Sequence, residues 1–249
     1  IQRERVTATL MGSSQVISLL EHQKLGSYDT SSLQNILIGG ESLPADVVKR
    51  AIATFGPIFS RIYALNEIPS VTYLSAEEVV LDGSPKMTRR IASCGREAIN
   101  AEGRVVNEEG NDVSPGEVGE VIAKVDHPMK GYWKLPQATA ETLKHGYVFT
   151  GDLATIDEDG YIYLVGRKKD TITVGDKTIY PTEVEEVLYR HSPIAEAAVI
   201  GVPDEKYGEV PKAVVVLREG KKATEEEIID FCQGILADYA IPKSVELVD

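Results

Sequence analysis

The sequence contains few cysteines, few histidines and no long apolar run, and each shortage excludes a class of protein. The two cysteines, Cys94 and Cys232, form no CxxC pair, so we expect a reducing compartment and no disulfide framework. The four histidines share no metal-ligand spacing, which argues against a zinc site. No apolar stretch approaches the ~18 residues of a membrane span, and the N-terminal residues lack the apolar segment of a signal peptide. We therefore expect a cytoplasmic protein without a transmembrane segment.

Positive charge is also in short supply. The 249 residues carry 26 Lys and Arg against 39 Asp and Glu, a net charge of −13. This charge opposes binding to a phosphate backbone, so we expect no nucleic-acid partner. With 43% hydrophobic residues, the composition is that of one large or two modest globular domains with a real core.

Three patterns follow one another along the chain. In residues 1–90, the helical spacing of "SSQVISLLEHQKL", the strand "LQNILIGG" and the helix "SLPADVVKRAIATF" predict an α/β structure. In residues 91–168, short strands and turns, with "DEDG" as a hairpin signal, predict a β-rich subdomain. After Lys169 the pattern changes again, to helices and strands that predict an α+β segment over residues 169–249.

The two helices predicted in the C-terminal segment share a local signal. Each begins with a threonine followed three residues later by a glutamate, Thr182 with Glu185 and Thr224 with Glu227. In this pattern the two side chains satisfy free backbone donors of the first turn reciprocally. We therefore predict a capping box at the start of both helices.

Two polar side chains flank the predicted hairpin. Asp152 follows Gly151, and a carboxylate at such a place can accept both hydrogens of a vicinal diol such as ribose; a simple turn is the alternative. Arg167 closes the second strand, where a guanidinium can bind ribose or phosphate oxygens or remain a solvated cation. The charged run that follows lies where the structural pattern changes, and a linker there can absorb a rotation.

Two further segments suit a nucleotide. The strand "ILIGGES" ends in Gly39-Gly40-Glu41, a shape that admits a flat ring or a phosphate against bare backbone. In "RIYALNE", the ring of Tyr63 can stack on a base, and the carboxylate of Glu67 can hold a hard cation such as Mg²⁺. A core tyrosine and a surface glutamate are the alternatives for these two residues.

Taken in this order, the segments resemble the acyl- and aryl-CoA synthetases of the adenylate-forming superfamily. The resemblance is most specific in "YVFTGDLATIDEDGYIYLVGRKKDTITVGDKTIYPTEVEEVL" and extends to "GEVGEVIAKVDHPMKGYWKLPQATAETL" and "AAVIGVPDEKYGEVPKAVVVL". It covers essentially the whole chain. It implies that residues 1–90 are the end of a large α/β domain, that residues 91–168 are a β-rich, barrel-like subdomain of it, and that residues 169–249 are a small, mobile C-terminal α+β domain that is incomplete at its end. It implies a ligase that uses ATP, Mg²⁺ and CoA to form an acyl-adenylate from a carboxylic acid, as in fatty acid metabolism, and then a thioester.

The resemblance also implies a role for each candidate residue. Asp152 would hold the ribose hydroxyls, Arg167 would contact the same nucleotide, and Lys169 would be the hinge on which the C-terminal domain swings. Tyr63 would stack on adenine and Glu67 would be the magnesium carboxylate. The adenine-side loop would comprise Gly39, Gly40 and Glu41.

The sequence departs from the family pattern in four ways. Asn66 replaces the hydroxyl that would contact the α-phosphate, and Gly175-Asp176 replaces a double glycine beside the pantetheine path of CoA. The chain contains no Ser/Thr/Gly-rich phosphate loop with its lysine, and the adenylation lysine is expected beyond Asp249. We therefore expect the chain to be inactive by itself, with no catalytic residue of its own.

Two alternatives to a CoA ligase remain open from the sequence. One is a ligase of the same superfamily that is specific for aryl acids or passes its acyl group to a carrier protein. The other is a non-catalytic relative that serves as a binding or scaffold protein, which the residues Asn66 and Asp176 favour. The acyl substrate and the oligomeric state are not predicted.

Overall fold

The computed structural model describes residues 1–40, 45–81 and 83–248. Their contacts divide the chain into two compact units. The first unit comprises Ile1–Thr150 and Ala154–Leu164, and the second comprises Gly151–Leu153 and the chain from Val165 onward. The predicted domain boundary, between residues 168 and 169, lies a few residues later and stays a prediction.

The described residues form helices and strands, with several strands in succession in the middle of the chain. The helices are α1 Ser13–Glu21, α2 Ala45–Phe55, α3 Pro85–Arg89, α4 Pro136–Thr142, α5 Pro181–Tyr189 and α6 Glu225–Cys232. The strands of the first unit that precede residue 147 are β1 Ala8–Met11, β2 Asn35–Ile38, β3 Phe59–Leu65, β4 Ile68–Leu74, β5 Arg96–Glu97, β6 Ala101–Val106, β7 Val118–Val125 and β8 Leu143–Lys144. The remaining strands are β9 Tyr147–Ile156, β10 Ile162–Arg167, β11 Ile172–Val174, β12 Lys177–Ile179, β13 Ile194–Asp204, β14 Gly208–Leu217 and β15 Ser244–Val248.

The first sheet has the strand order β1-β2-β3-β4-β5. Its first three strands are parallel, with Met11 opposite Ile38 and Ile38 opposite Arg61, whereas β4 and β5 are antiparallel to their neighbours. Parallel strands require a crossover, and α1 and α2 provide it. Apolar residues of both helices, such as Val16 and Ala51, lie in one buried cluster with residues of β2 and β3. This confirms the predicted α/β pattern.

The second sheet has the order β10-β9-β7-β6, with β8 paired to β9. The predicted hairpin at residues 157–160 joins β9 to β10; Gly160 has φ +81°, and the Asp157 carboxylate accepts from the backbone N of Tyr161 at 3.0 Å. The β-rich character predicted for this segment is therefore confirmed. The predicted barrel-like form is not found: among the described strands this sheet ends at β10 on one side and at β6 on the other, and it does not close.

The second unit is built on a sheet of order β12-β11-β14-β13, to which β15 adds parallel to β14. The helices α5 and α6 bury Val184, Leu188 and Ile228 against it. The helix predicted to begin at Thr224 ends at Cys232, because Gln233 is extended with ψ 137° and Gly234 is left-handed with φ +74°, and neither conformation continues an α-helix.

One of the two predicted capping boxes is present. Thr224 accepts from the backbone N of Glu227 at 3.2 Å, and Glu227 accepts from the backbone N of Thr224 at 2.8 Å. The capping box predicted at Thr182 and Glu185 is wrong. Pro181 occupies the start of α5, so Tyr180 is the N-cap and Thr182 lies inside the first turn. Its hydroxyl donates to the carbonyl of Val165 instead, and Glu185 accepts from the backbone N of Val199 at 2.9 Å.

None of the helices among the described residues is long and apolar enough to cross a membrane.

Candidate functional site

The predicted glycine loop follows β2 directly. Gly39 donates its backbone N–H to the carbonyl of Met11 at 3.1 Å, and an added Cβ would lie 3.4 Å from Cγ2 of Ile62 and 3.5 Å from Cδ1 of Leu10. Gly40 has φ +91°, with open space where a side chain would start. The backbone here is thus bare, and Gly39 lies in ordinary van der Waals range of two neighbouring strands. The third predicted loop residue, Glu41, lies outside the described residues.

The segment from Tyr63 to Glu67 forms the end of β3 and a two-residue turn into β4. Leu65 pairs with Ile68, so Asn66 and Glu67 make the turn; Asn66 is exposed and Glu67 is half-buried. Because β2 and β3 are parallel neighbours, their carboxyl ends lie at the same edge of the sheet. In open α/β sheets, ligands bind at such an edge. With Ile38 opposite Arg61, the fold therefore places the glycine loop beside the start of the Tyr63–Glu67 segment.

Tyr63 is less accessible than a stacking platform would be. It is 6% exposed and belongs to a buried cluster that includes Ile68 and Val121. A base stacked here would reach only a small part of the ring in this arrangement. The adenine-stacking role of Tyr63 stays a prediction.

Glu67 is held by a residue that the sequence reasoning did not single out. The hydroxyl of Tyr132 donates to Oε1 of Glu67 at 2.6 Å, and the backbone N of Met129 donates to the Glu67 carbonyl at 2.8 Å. The hydrogen bond to Glu67 and, after it, burial raise the pKa of Tyr132, so the phenol remains a neutral donor at physiological pH. In the sequence, Tyr132 is marked only as an aromatic residue that follows Gly131 in a segment resembling the family, and nothing there links it to Glu67.

The donor set around Glu67 fits a magnesium ion. Mg²⁺ prefers oxygen ligands and is usually bound by one or two carboxylates together with substrate phosphates. A half-buried carboxylate at the ligand edge of the sheet meets this requirement. The described residues contain no group of three or more His, Cys, Asp or Glu that would hold a metal without such phosphates.

Asp152 and Arg167 form an ion pair in the second unit. They lie on the neighbouring strands β9 and β10, and Nε of Arg167 is 3.1 Å from Oδ1 of Asp152. The Asp152 side chain is 10% exposed and that of Arg167 is 53% exposed. Gly151 before the aspartate has φ +71°, a conformation that favours glycine. The two residues predicted to contact one nucleotide are thus adjacent.

The remaining predicted residues lie on exposed turns of the same unit. Lys169 is exposed in the middle of a 3₁₀ turn at residues 168–170. Gly175 and Asp176 join β11 to β12; Gly175 has φ +62°, whereas Asp176 does not adopt a positive φ. This turn therefore accommodates an aspartate at its second position. The Asp176 carboxylate pairs with Nζ of Lys177 at 3.0 Å, and this hydrogen bond lowers the pKa of Asp176.

Both ends of the chain match models of a single enzyme family. The model described as AMP-binding enzyme matches residues 1–133, and the model described as AMP-binding enzyme C-terminal domain matches residues 183–249. The match to the C-terminal domain model starts inside α5, two residues after the helix begins at Pro181.

Similar proteins extend the comparison over the whole chain. It is 38% identical to a feruloyl-CoA synthase of Amycolatopsis sp over 250 residues, which is 100% of this chain and 49% of that protein. It is 39% identical to a medium/long-chain-fatty-acid–CoA ligase of Mycobacterium tuberculosis over 257 residues, 100% of this chain and 44% of that protein. The chain therefore spans about half the length of the curated relatives it matches.

A solved structure has the same fold. It is O-succinylbenzoate coenzyme A synthetase of Bacillus subtilis in complex with ATP and magnesium ion, with a TM-score of 0.84 and 30% identity. The similarity covers 99% of this chain and 49% of that one.

Proposed function

Because the chain belongs to the family of AMP-binding enzymes, we propose that the complete protein is an ATP-dependent carboxylate–CoA ligase. It would form an acyl-adenylate and pyrophosphate, and then a thioester and AMP. The observation that carries this proposal is the meeting of the Gly39-Gly40 loop and the Tyr63–Glu67 segment at the ligand edge of the sheet, in a chain whose full length aligns with CoA ligases.

In the first half-reaction, a carboxylate oxygen of the substrate would attack the α-phosphorus of ATP, and the bond to pyrophosphate would break. We assign Asp152 to the ribose hydroxyls and Arg167 to the same nucleotide, which their 3.1 Å contact supports. Glu67 would hold Mg²⁺, which neutralises charge on the phosphates. The exposed amide of Asn66 would donate a hydrogen bond to the α-phosphate, in place of the hydroxyl that the family pattern has at this position.

In the second half-reaction, the thiol sulfur of CoA would attack the acyl carbonyl and displace AMP. We propose that the C-terminal segment pivots near Lys169 between the two steps, and that CoA passes the turn at Gly175 and Asp176. The exposed 3₁₀ turn at residues 168–170 supports the first assignment, because hinges are formed by a few loop or element-terminal residues. The cytoplasmic location expected from the sequence remains part of this proposal.

The test is carboxylate-dependent exchange of pyrophosphate into ATP by the full-length protein. A panel of fatty, aryl and aliphatic acids, followed by an assay of thioester formation, would identify both the acyl substrate and the acceptor. Exchange without thioester formation on CoA would favour transfer to a carrier protein. Nucleotide binding without exchange for any acid would favour the non-catalytic alternative and contradict the proposal.

A further inference from the structure

The hydrogen bond between Tyr132 and Glu67 joins two segments that are 65 residues apart in sequence. We propose that Tyr132 is a positioning residue for the magnesium carboxylate: its phenol occupies Oε1 of Glu67 and fixes the orientation in which the carboxylate meets the metal. The inference rests on the proposed function, because it takes Glu67 as the ligand of the Mg²⁺ that accompanies ATP. It adds a residue that neither the motif nor the family resemblance assigned.

The surroundings of Tyr132 hold the phenol in place. The backbone N of Tyr132 donates to Oγ1 of Thr139 at 2.9 Å, and that hydroxyl in turn donates to the carbonyl of Leu135 at 2.9 Å. The Thr139 side chain packs where a side chain of residue 131 would be. A Cβ on Gly131 would lie 2.8 Å from Cγ2 of Thr139, and Gly131 has φ +142°. Glycine at position 131 therefore allows Thr139 to come close enough to accept the hydrogen bond from the backbone N of Tyr132.

Glu67 is fixed on its backbone side by the same segment. Met129, three residues before Tyr132, donates its backbone N–H to the Glu67 carbonyl at 2.8 Å. Both the backbone and the carboxylate of Glu67 are thus bound by residues 129–132. A half-buried glutamate in a two-residue turn would otherwise sample several side-chain rotamers, and ordering it costs free energy.

Magnesium makes this orientation important. The ion requires near-ideal octahedral geometry with short metal–oxygen distances, so a carboxylate that rotates freely binds it poorly. Hydrogen bonds to ligating side chains typically change metal affinity by about 10–100-fold. Loss of the Tyr132 hydroxyl should therefore weaken the contribution of Mg²⁺ to nucleotide binding and leave the nucleotide contacts themselves intact.

The experiment measures ATP affinity of the full-length protein by calorimetry, with Mg²⁺ and with EDTA. In Tyr132→Phe the ring is retained and only the hydroxyl is lost. We expect the gain in ATP affinity on adding Mg²⁺ to fall by about tenfold or more, with the affinity in EDTA unchanged. A purely structural role would lower both affinities, and that result would overturn the inference.

Two further variants complete the design. Tyr147→Phe removes a phenol that also donates to a carboxylate, that of Glu102, elsewhere in the same unit; it should leave the Mg²⁺ gain intact. Glu67→Gln should abolish most of the gain. If Glu67→Gln loses the increase in ATP affinity on adding Mg²⁺ and Tyr132→Phe keeps it, Glu67 remains the proposed metal ligand and the positioning role of Tyr132 is wrong. If Glu67→Gln also keeps this increase, both the metal assignment of Glu67 and the positioning role of Tyr132 are wrong. Pyrophosphate exchange still tests the ligase proposal independently.

Discussion

At the scale of single residues, the ion pair of Asp152 and Arg167 is the contact through which we propose that the site binds its nucleotide. The aspartate is nearly buried, and the half-exposed arginine offsets part of the cost of burying its charge. Two residues 15 positions apart in sequence reach this contact because they lie on neighbouring strands. A substitution of Asp152 can change both the stability of the fold and the binding of the nucleotide. Folding and ATP use therefore have to be measured separately.

We predict that Asp152→Ala in the full-length protein raises the KM for ATP by at least about tenfold. The substitution would remove charge-assisted hydrogen bonds worth roughly 1.5–3 kcal/mol each. Pyrophosphate exchange at varied ATP concentration measures this, with a thermal melt to check folding. Asp230→Ala, which removes an exposed carboxylate from α6, is the control and should leave KM unchanged. An unaltered KM in Asp152→Ala would remove this residue from the site.

We predict that Asp176→Gly raises the rate of thioester formation and changes adenylation little. The exposed carboxylate lies where the family pattern has glycine, and it adds both bulk and negative charge beside the proposed path of an anionic cofactor. Asp176→Asn separates the two causes, because it removes the charge and keeps the size. Since Lys177 already pairs with this carboxylate, we expect most of the gain to require glycine. Lower CoA turnover in Asp176→Gly would instead assign the aspartate a positive role.

At the scale of elements, the start of α5 is tied to the end of β10. The Thr182 hydroxyl donates to the carbonyl of Val165. The next residue, Gly166, has φ +151°, and a Cβ on it would lie 3.7 Å from Oγ1 of Thr182. Lys169, the proposed pivot, lies between these two residues in sequence. A rotation at Lys169 would therefore have to break this hydrogen bond.

We predict that Thr182→Val changes the two half-reactions in opposite directions. Removing one hydrogen bond costs about 0.5–1.5 kcal/mol, which shifts the ratio of the two conformations by roughly 2–10-fold. Single-turnover rates of adenylation and of thioester formation measure the ratio. Thr224→Val, which removes the hydroxyl cap of α6 at a similar cost of about 1 kcal/mol, should affect both rates equally. Equal loss of both rates in Thr182→Val would argue against a pivot at Lys169.

At the scale of the whole molecule, the chain spans about half the length of its curated relatives, and we expect the supply of positive charge around the triphosphate of ATP to limit its activity. We predict that residues 1–249 by themselves show no robust pyrophosphate exchange, whereas the full-length protein does. The sequence contains no phosphate loop with its lysine, and losing one preorganised charge contact commonly costs about 3–4 kcal/mol, or 10²–10³ in rate. Robust exchange by residues 1–249 with a mixed panel of acids would mean that the catalytic lysines lie within this sequence.

Local patterns determined much of this protein from the sequence alone. The helical spacing of α1, the apolar run of β2, the Asp-Gly turn between β9 and β10 and the Thr224–Glu227 cap are all encoded within a few residues. Such short-range signals depend on backbone preferences that need no partner. The family resemblance was legible for a related reason, since it rests on continuous motifs.

Tertiary structure alone decided which distant residues meet. Tyr132 holds Glu67 across 65 positions, and Thr182 bonds Val165 rather than capping its own helix. Tyr63 proved to be buried, because its strand lies inside a cluster to which β7 and β10 also contribute. No local pattern encodes these contacts, since they depend on strand order and on the register of pairing. The residues that could bind a nucleotide were therefore readable in sequence, and the contacts that orient them were not.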